Sequence, residues 1–572
     1  MNTAPKLMYE WKNIPWRKLE VQVFKLQKRI YRASERGDVK QVRRLQRLLV
    51  NSRAAKLLAV RRVTQDNRGK RTAGIDGVKS IHPAGRLKLA EDLKLSDKAS
   101  PIRRVWIPKP EKQEKRPLGI PTIEDRAKQA LTKLALEPEW EALFEPHSYG
   151  FRPGRSTHDA VKYIKLDIQR KDKYVLDADI SKCFDRINQK ALLDKLNTFP
   201  LMRRQIKAWL KAGVMEGETL FPIEEGTPLG GVISPLLANI ALHGLENYLN
   251  SCVTKRKQVN GKVTNWKLTV VRYADDFLIM HRDLNELLRI KSLAEKWLNQ
   301  MGLELSPTQT KIVHTFFSLN GQEPGFDFLG FSFRQYPLGK RNRRLRAGGS
   351  RAGGQCWTQE ALFKTIITQT VGAVQRHKAK LSQIIDGLKT APQSRLIREL
   401  NPVIQGFANY YCAVNSKEVF SDIDHWLWEK LRRWALRRHP IKPAKWVFNK
   451  YWHVDEHNGT KKWDFHDGET SLSQHRLTPI KMHVNVKETR SPYDGDWVYW
   501  STRRGKYPGT RPVIAQLLNK QKGKCPICRL HFTLEDIIEV DHVDNNHGNN
   551  RMSNLHALHG HCHDWKHTVS IS

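Results

Sequence analysis

Through residues 17–62 apolar positions recur at helical spacing: Val21, Phe24, Ile30, Val42, Leu45, Leu48 and Leu49 stand among basic residues and only three acids, Glu20, Glu35 and Asp38. This pattern predicts helices with a basic outer face, suited to phosphate. Gly69, Gly74 and Gly77 then break it. From about residue 100 to 335 the texture changes to short β-rich runs, Val105-Trp106-Ile107, Tyr174-Val175-Leu176, Leu268-Thr269-Val270-Val271 and Phe277-Leu278-Ile279-Met280, separated by helical segments. That alternation predicts an α+β core. Residues 339–354 hold five glycines, six Lys or Arg and no acid, the composition of a linker or mobile basic loop. Helical periodicity returns over 358–450 with Leu362, Ile366, Val374, Leu381 and Leu388, and later Trp426, Leu427, Leu431 and Trp434 among arginines. Residues 451–515 are polar, aromatic and irregular, and their pattern assigns no fold.

Charge narrows the class of partner. The 572 residues carry 99 Lys+Arg against 58 Asp+Glu, a net +41, which favours nucleic acid over small acidic ligands. Disorder is excluded for most of the chain by its 39% hydrophobic content and 17 Trp. The charge is uneven: residues 1–62 hold 17 Lys+Arg against four acids, whereas 523–572 hold four against six, so 523–572 contribute −2 and everything before them +43. Binding through the basic body should weaken steeply with salt. Without a signal-like start or an apolar run of about 18 residues, the chain is expected to be neither exported nor membrane-spanning. Seven cysteines, few and odd in number, predict a reducing compartment, the cytoplasm.

Two runs carry candidate chemistry for the polymer. Asp275 and Asp276 lie between apolar strands, at a predicted hairpin tip, and Asp177-Ala178-Asp179 ends another strand. Carboxylates delivered from separate strand ends can hold two Mg²⁺ for nucleotidyl transfer, here Asp179 with Asp275 and Asp276. A second constellation lies near the C-terminus. Cys525-x₂-Cys528 and His559-x₂-Cys562 have the paired spacing of a structural zinc site, with His561 and His556 as alternatives to His559.

Seven ordered landmarks resemble reverse transcriptases, and specifically the maturase-reverse transcriptases encoded in group II introns: RRVWIPKP…KRPLGIPTIEDR, SYGFRPGRSTHDA, DADISKCFDRI, GTPLGGVISPLLANIAL, YADDF, GLELSPTQTKIV and FDFLGFSF. The resemblance implies a right-hand polymerase with fingers, palm and α-helical thumb. It would divide the chain into an N-terminal extension and start of the fingers (1–100), fingers and palm (101–338), a basic linker (339–357), a thumb or maturase domain (358–455), a DNA-binding segment (456–515) and a nuclease (516–572). Asp179, Asp275 and Asp276 become metal ligands, with the Ile180 carbonyl beside them. Lys109 and Arg116 would grip the dNTP triphosphate, Phe184 would exclude a ribose 2′-OH, and Gly230 would allow close approach of template and nucleotide. Lys311 is either near the phosphates or structural. Leu229 replaces the Gln usual in the family. Gln405-Gly406-Phe407-Ala408-Asn409-Tyr410-Tyr411 resembles the maturase signature, and Phe407, Tyr410 and Tyr411 are expected in the core.

The C-terminal residues Glu539-Val540-Asp541-His542, Asn554-Leu555 and Cys562-His563-Asp564-Trp565-Lys566 resemble an HNH endonuclease, a ββα-metal fold. The likeness implies His542 as general base, Asn554 orienting its loop, and Asp541 with His563 on a catalytic Mg²⁺ or Mn²⁺. Implied partners are the intron RNA in a ribonucleoprotein, a double-stranded DNA target and dNTPs, with no membrane. The implied function joins splicing assistance, cleavage of the strand opposite the insertion, and target-primed reverse transcription.

Overall fold

The computed structural model describes residues 11–108, 115–217, 219–222, 226, 230–254, 257–259, 262–264, 267–338, 363–457, 460–505, 510–532, 536–546 and 548–569. The expectations placed on Lys109, on Leu229 and on the 339–357 linker lie outside the described residues.

Three helices open the chain: α1 (Trp16–Glu35), α2 (Val39–Asn51) and α3 (Arg53–Arg61). Asp38 caps α2 by accepting the Gln41 N–H at 3.0 Å. Their apolar stripe is structural. Ile30, Leu45, Leu49 and Val60 are buried in one core with Leu131 and Leu136 of α4 (Ile123–Glu141), so these helices are part of the main body of the protein. Arg43 and Gln46 both donate to the buried Glu139 carboxylate at 2.7 Å, which fastens α2 to α4. Lys18, Lys25 and Arg29 remain exposed on the outer face.

The fingers hairpin pairs β1 (Ile102–Pro108) with β2 (Lys115–Ile120) and places Arg116 opposite Ile107. Behind it, α5 (Thr157–Ile168), β3 (Tyr174–Asp179), α6 (Ser234–Leu242), β4 (Thr269–Tyr273), β5 (Asp276–His281) and β6 (Lys311–His314) build the palm. Its sheet runs β6-β3-β5-β4, every neighbour antiparallel. Both faces are covered. Leu176, Ala178, Phe277 and Ile279 point into one core, while Val175, Leu278, Met280 and Val313 point into another. This explains why the strands read as unbroken apolar runs instead of alternating.

Strands β7 (Phe331–Pro337) and β8 (Phe363–Gln369) pair antiparallel and lead into the helices α7 (Val371–Gly387), α8 (Gln393–Tyr411) and α9 (Lys417–Arg438). Phe407 stacks on His377 at 3.9 Å, Tyr411 is buried, and the Tyr410 hydroxyl donates to Thr157 Oγ1 at 3.0 Å. These aromatics pack within the protein, as expected of core residues.

Residues 471–503, whose fold the sequence left unassigned, form a strap over thumb and palm. His475 donates to Asp424 Oδ1 at 2.6 Å and pairs with His377 at 2.8 Å. Further on, Asp159 of α5 collects the strap: His483 Nε2 at 3.0 Å, the Val486 N–H at 2.9 Å and the Arg503 guanidinium all donate to its Oδ1. Burial alone would push this carboxyl up. The His483 hydrogen bond, the charges of Arg503 and His483 and the Val486 N–H outweigh it and hold the carboxyl down at about 2, against an ordinary 3.8. A depressed carboxyl stabilises the fold above its unfolded value, and the gain, about 2 kcal/mol, is lost as pH falls from about 4 through about 2. Calorimetry should therefore show Asp159→Asn melting below the wild type at pH 7, with the gap closing below about pH 3. A gap independent of pH would refute this account.

A small C-terminal unit closes the chain with α10 (Pro512–Lys520), the antiparallel hairpin β9 (Ile538–His542) and β10 (Leu555–His559), and α11 (Gly560–Val569). Its core is slight: Leu517, Leu518, Phe532, Leu555, Ala557 and Leu558 with three cysteines. Among the described residues, no helix is long and apolar enough to cross a membrane.

Candidate active sites in the palm and the C-terminal unit

The palm register brings the acids together. Asp179 ends β3 directly opposite Asp276, the first residue of β5, and Asp275 sits in the two-residue turn between β4 and β5. Asp276 reaches solvent at the sheet's end. Partial burial, then the charges of Asp275, Asp179 and Asp177 and a hydrogen bond shared with Asp179, push its carboxyl up to about 7. Asp177, two residues before Asp179 on the same strand face, is likewise pushed up to about 6, first by burial and then by Asp327 and Asp179. Lys311 stands opposite Asp177 in register and its charge lowers the Asp177 carboxyl, so its partner is an acid of the palm. A set of oxygen donors this crowded with negative charge fits hard divalent cations such as Mg²⁺.

The turn carrying Asp275 is locked from below by residues that the sequence did not single out. Ala274 adopts a left-handed φ of 60°. Buried Arg272 donates to the Ala274 carbonyl at 3.2 Å and to Asn239 Oδ1 at 2.9 Å, while Asn239 donates to the Gly150 carbonyl at 2.8 Å. Gly150 lies so close that a Cβ there would meet the Ala274 nitrogen at 2.3 Å. Two landmarks, SYGF and ANIAL, thus converge with Arg272 on the turn of a third, YADDF.

Ile180 is buried and bridges Leu305, and the Asp179 carbonyl accepts the Ser306 N–H at 2.8 Å, which pins the strand end. Phe184 follows on the single turn Cys183–Arg186, half-buried, with its ring edge-on to Phe151 at 6.3 Å. Gly230, at φ 104°, presses on the fingers: a Cβ would meet the Gly119 carbonyl oxygen at 2.3 Å. For Arg116 only the strand position is described.

In the C-terminal unit Cys525, Cys528, His559 and Cys562 are buried with their ligand atoms all within 4.8 Å of one another. Cys528 Sγ lies 3.1 Å from His559 Nδ1, and the other ring nitrogen faces Asp536 Oδ2 at 3.3 Å. A carboxylate on the far nitrogen orients an imidazole ligand, and three thiols with one imidazole fit tetrahedral zinc. The two alternatives turn elsewhere: His561 Nδ1 contacts Arg61 at 3.3 Å, and His556 donates to Asp541 at 2.7 Å.

The HNH-like residues gather around β9. Asn554 Nδ2 donates to Asp544 Oδ1 at 2.8 Å and to the Asn549 carbonyl at 2.9 Å, and the Asn554 carbonyl accepts the Val543 N–H at 2.8 Å. These bonds staple the loop that follows His542. His542 Nε2 contacts Asn550 Oδ1 at 3.1 Å. Asp541, His563 and His567 form a second metal-ready cluster within 4.8 Å. His567 was missed in the sequence, although its spacing of four from His563 puts both on one face of α11. Burial pushes the Asp541 carboxyl up, but hydrogen bonds from Lys566, His556 and His567 outweigh it and bring it to about 2.

Comparisons with known proteins add independent findings. The family "Reverse transcriptase (RNA-dependent DNA polymerase)" matches residues 107–333, "N-terminal domain of reverse transcriptase" matches 11–93, and "Group II intron, maturase-specific domain" matches 374–452. Protein YkfC of Escherichia coli is 32% identical over 330 residues, covering 50% of this chain and 82% of YkfC. Group II intron-encoded protein LtrA of Lactococcus lactis is 30% identical over 369 residues, covering 54% of this chain but only 60% of LtrA. Maturase-like protein 1 of Euglena gracilis is 28% identical over 339 residues, 57% of this chain and 65% of that protein. With a reverse transcriptase domain flanked by its N-terminal domain and a maturase-specific domain, the chain belongs to the group II intron reverse transcriptases.

Proposed function

We propose that the chain copies RNA into DNA at Asp179, Asp275 and Asp276, binds and helps splice its host intron RNA through the thumb, and cuts DNA with residues 516–572. The observation that carries the reading is the register of the palm, which sets Asp179 abreast of Asp276 with Asp275 in the adjoining turn. In the polymerase reaction the primer 3′-hydroxyl attacks the α-phosphorus of a dNTP and pyrophosphate leaves. Bound Mg²⁺ would supply charge neutralisation at both oxygens, held by the three carboxylates and the Ile180 carbonyl. Lys109 and Arg116 grip the triphosphate, Gly230 admits template and nucleotide close to the backbone, and the Phe184 ring lies under the sugar.

Primer extension on an RNA template tests this part. The wild type should incorporate dNTPs and reject NTPs, and Phe184→Ala should raise NTP incorporation at least about tenfold, the scale of one lost steric clash of 1.4 kcal/mol. Unchanged sugar discrimination would overturn the gate.

For the nuclease, the His542 imidazole takes a proton from the water that attacks the phosphodiester, and Asn554 holds the His542 loop in place. Asp541 and His563, joined by His567, would hold the divalent cation that stabilises the developing charge. Cys525, Cys528, His559 and Cys562 would hold zinc, which would keep the unit folded. His542→Ala should lower strand cleavage by about 100-fold or more and leave primer extension unchanged. Loss of both activities would mean misfolding, and undiminished cleavage would remove His542 from this role. Cleavage of one target strand followed by extension of its 3′ end on intron RNA would insert the intron by target-primed reverse transcription.

A further inference from the structure

Between the N-terminal helices and the zinc-ready unit lies a cleft of about 2630 Å³. One wall is α1 with residues 61–67, the other is formed by residues 524–531 and 559–565, and Gly230 and Gly231 of the palm close one side. The walls meet at Arg61. Its guanidinium lies over the Trp16 ring at 4.9 Å, pairs with Glu20 at 3.1 Å and contacts His561 Nδ1 at 3.3 Å, so the C-terminal unit is docked on the N-terminal helices through it.

Three properties define what this cleft can hold. Small-molecule sites occupy roughly 300–1,000 Å³, so the space suits a polymer. Ten Lys or Arg line it against five acids, and four of those acids face partners within the protein: Glu20 and Asp66 pair with Arg61, Asp536 faces His559, and Asp564 faces His563. The surplus comes from the N-terminal side, where eight Lys or Arg, among them Arg17, Lys25 and Arg71, stand against two acids, while the other wall sets exposed Lys524 and Arg529 against Asp536, Glu539 and Asp564. Trp565, 56% exposed on α11, adds a ring face to the lining. Cations that track phosphates beside an open aromatic are the elements of a single-strand binding groove. A duplex turns its bases inward and offers Trp565 nothing to stack on. Two lining residues also belong to the sites already described. His563 belongs to both the lining and the Asp541 metal-ready cluster, and Gly230 belongs to both the lining and the palm loop pressed against the fingers.

We propose that this cleft binds a single-stranded polynucleotide that runs from the C-terminal metal cluster to the palm. The binding follows from the cleft itself; its meaning as a path from cutting to copying rests on the nuclease reading above.

The test uses the full-length chain and fluorescence anisotropy with labelled single-stranded 20-mers, one DNA and one RNA, beside a 20-base-pair duplex. Lys524→Ala/Arg529→Ala should weaken single-strand binding at least about tenfold. The slope of log affinity on log salt should fall by about 1.4, the value for two lost phosphate contacts on a single strand. The DNA and RNA arms identify which strand the cleft prefers. Primer extension on a short pre-annealed template and bound zinc should stay at wild-type levels, and Lys524→Arg/Arg529→Lys should restore binding. Unchanged affinity and slope would overturn the proposal, as would an equal loss for the duplex. A wild-type chain that binds the single strand through Lys524 and Arg529 yet cuts no DNA would support the cleft and remove the nuclease reading.

Discussion

The Asp275→Ala/Asp276→Ala variant is expected to fold and to lose RNA-templated DNA synthesis by at least about a thousandfold. That magnitude corresponds to several kcal/mol of transition-state stabilisation at about 1.4 kcal/mol per factor of ten. The fold should survive because the Asp276 carboxylate strains it when no cation is present. Asp276 is held near 7 by burial and by its neighbours' charges, against an ordinary 3.8. A carboxyl raised in the folded state costs stability as it ionises, so the metal-free wild type should lose stability as pH rises from about 4 to about 7, and the full cost should persist above 7. In the double variant that slope should flatten. Mg²⁺ at pH 7.5 should raise the melting temperature of the wild type and leave the variant unmoved. Splicing assistance should remain, since α7–α9 lie apart from these acids. Equal cDNA from wild type and variant would sink the assignment, and joint loss of synthesis and splicing assistance would point to misfolding.

Stripping zinc should have the second large effect, confined to residues 516–572. This unit buries only a handful of apolar side chains, and Cys525, Cys528 and Cys562 themselves occupy three of its core positions. So small a core does not hold a domain unaided. Structural zinc in comparable small units contributes about 10–16 kcal/mol of apparent binding free energy at pH 7, far more than the few kcal/mol such a core supplies. A zinc-selective chelator, used with Mg²⁺ in excess, should therefore make the C-terminal unit sensitive to limited proteolysis and abolish DNA cleavage, while primer extension continues. Cys528→Ser should do the same without chelator. Elemental analysis should find one zinc per chain in the wild type. A zinc-free chain whose C-terminal unit resists protease would overturn the structural role.

The N-terminal helices show where reading by pattern stops. Val42, Leu45 and Leu49 announced an amphipathic α2, but a stripe does not say what covers it. The cover is α4, about 90 residues away, through Arg43 and Gln46 on Glu139. Likewise the strap 471–503 lacks regular spacing up to the helix Trp497–Gly505, because irregular backbone has no period. Its hold on the palm depends on side chains, His483 and Arg503, meeting Asp159 more than 300 positions earlier.

The sequence by itself determined the strands of the palm, the acids at their ends, the paired Cys and His spacing and the uneven charge, because each is local: a strand buried on both faces is a short unbroken apolar run and a metal knuckle spans four positions. Tertiary structure alone decided the rest. It set Asp179 against Asp276, brought Arg272, Asn239 and Gly150 beneath one turn, seated His559 instead of His556 or His561 among the cysteines, and added His567 to Asp541 and His563. It also docked the C-terminal unit on Arg61 and so opened a basic cleft between them. The physical reason is common to all of these. Hydrogen bonds and ion pairs act over about 3 Å, and only the folded chain brings residues distant in sequence that close.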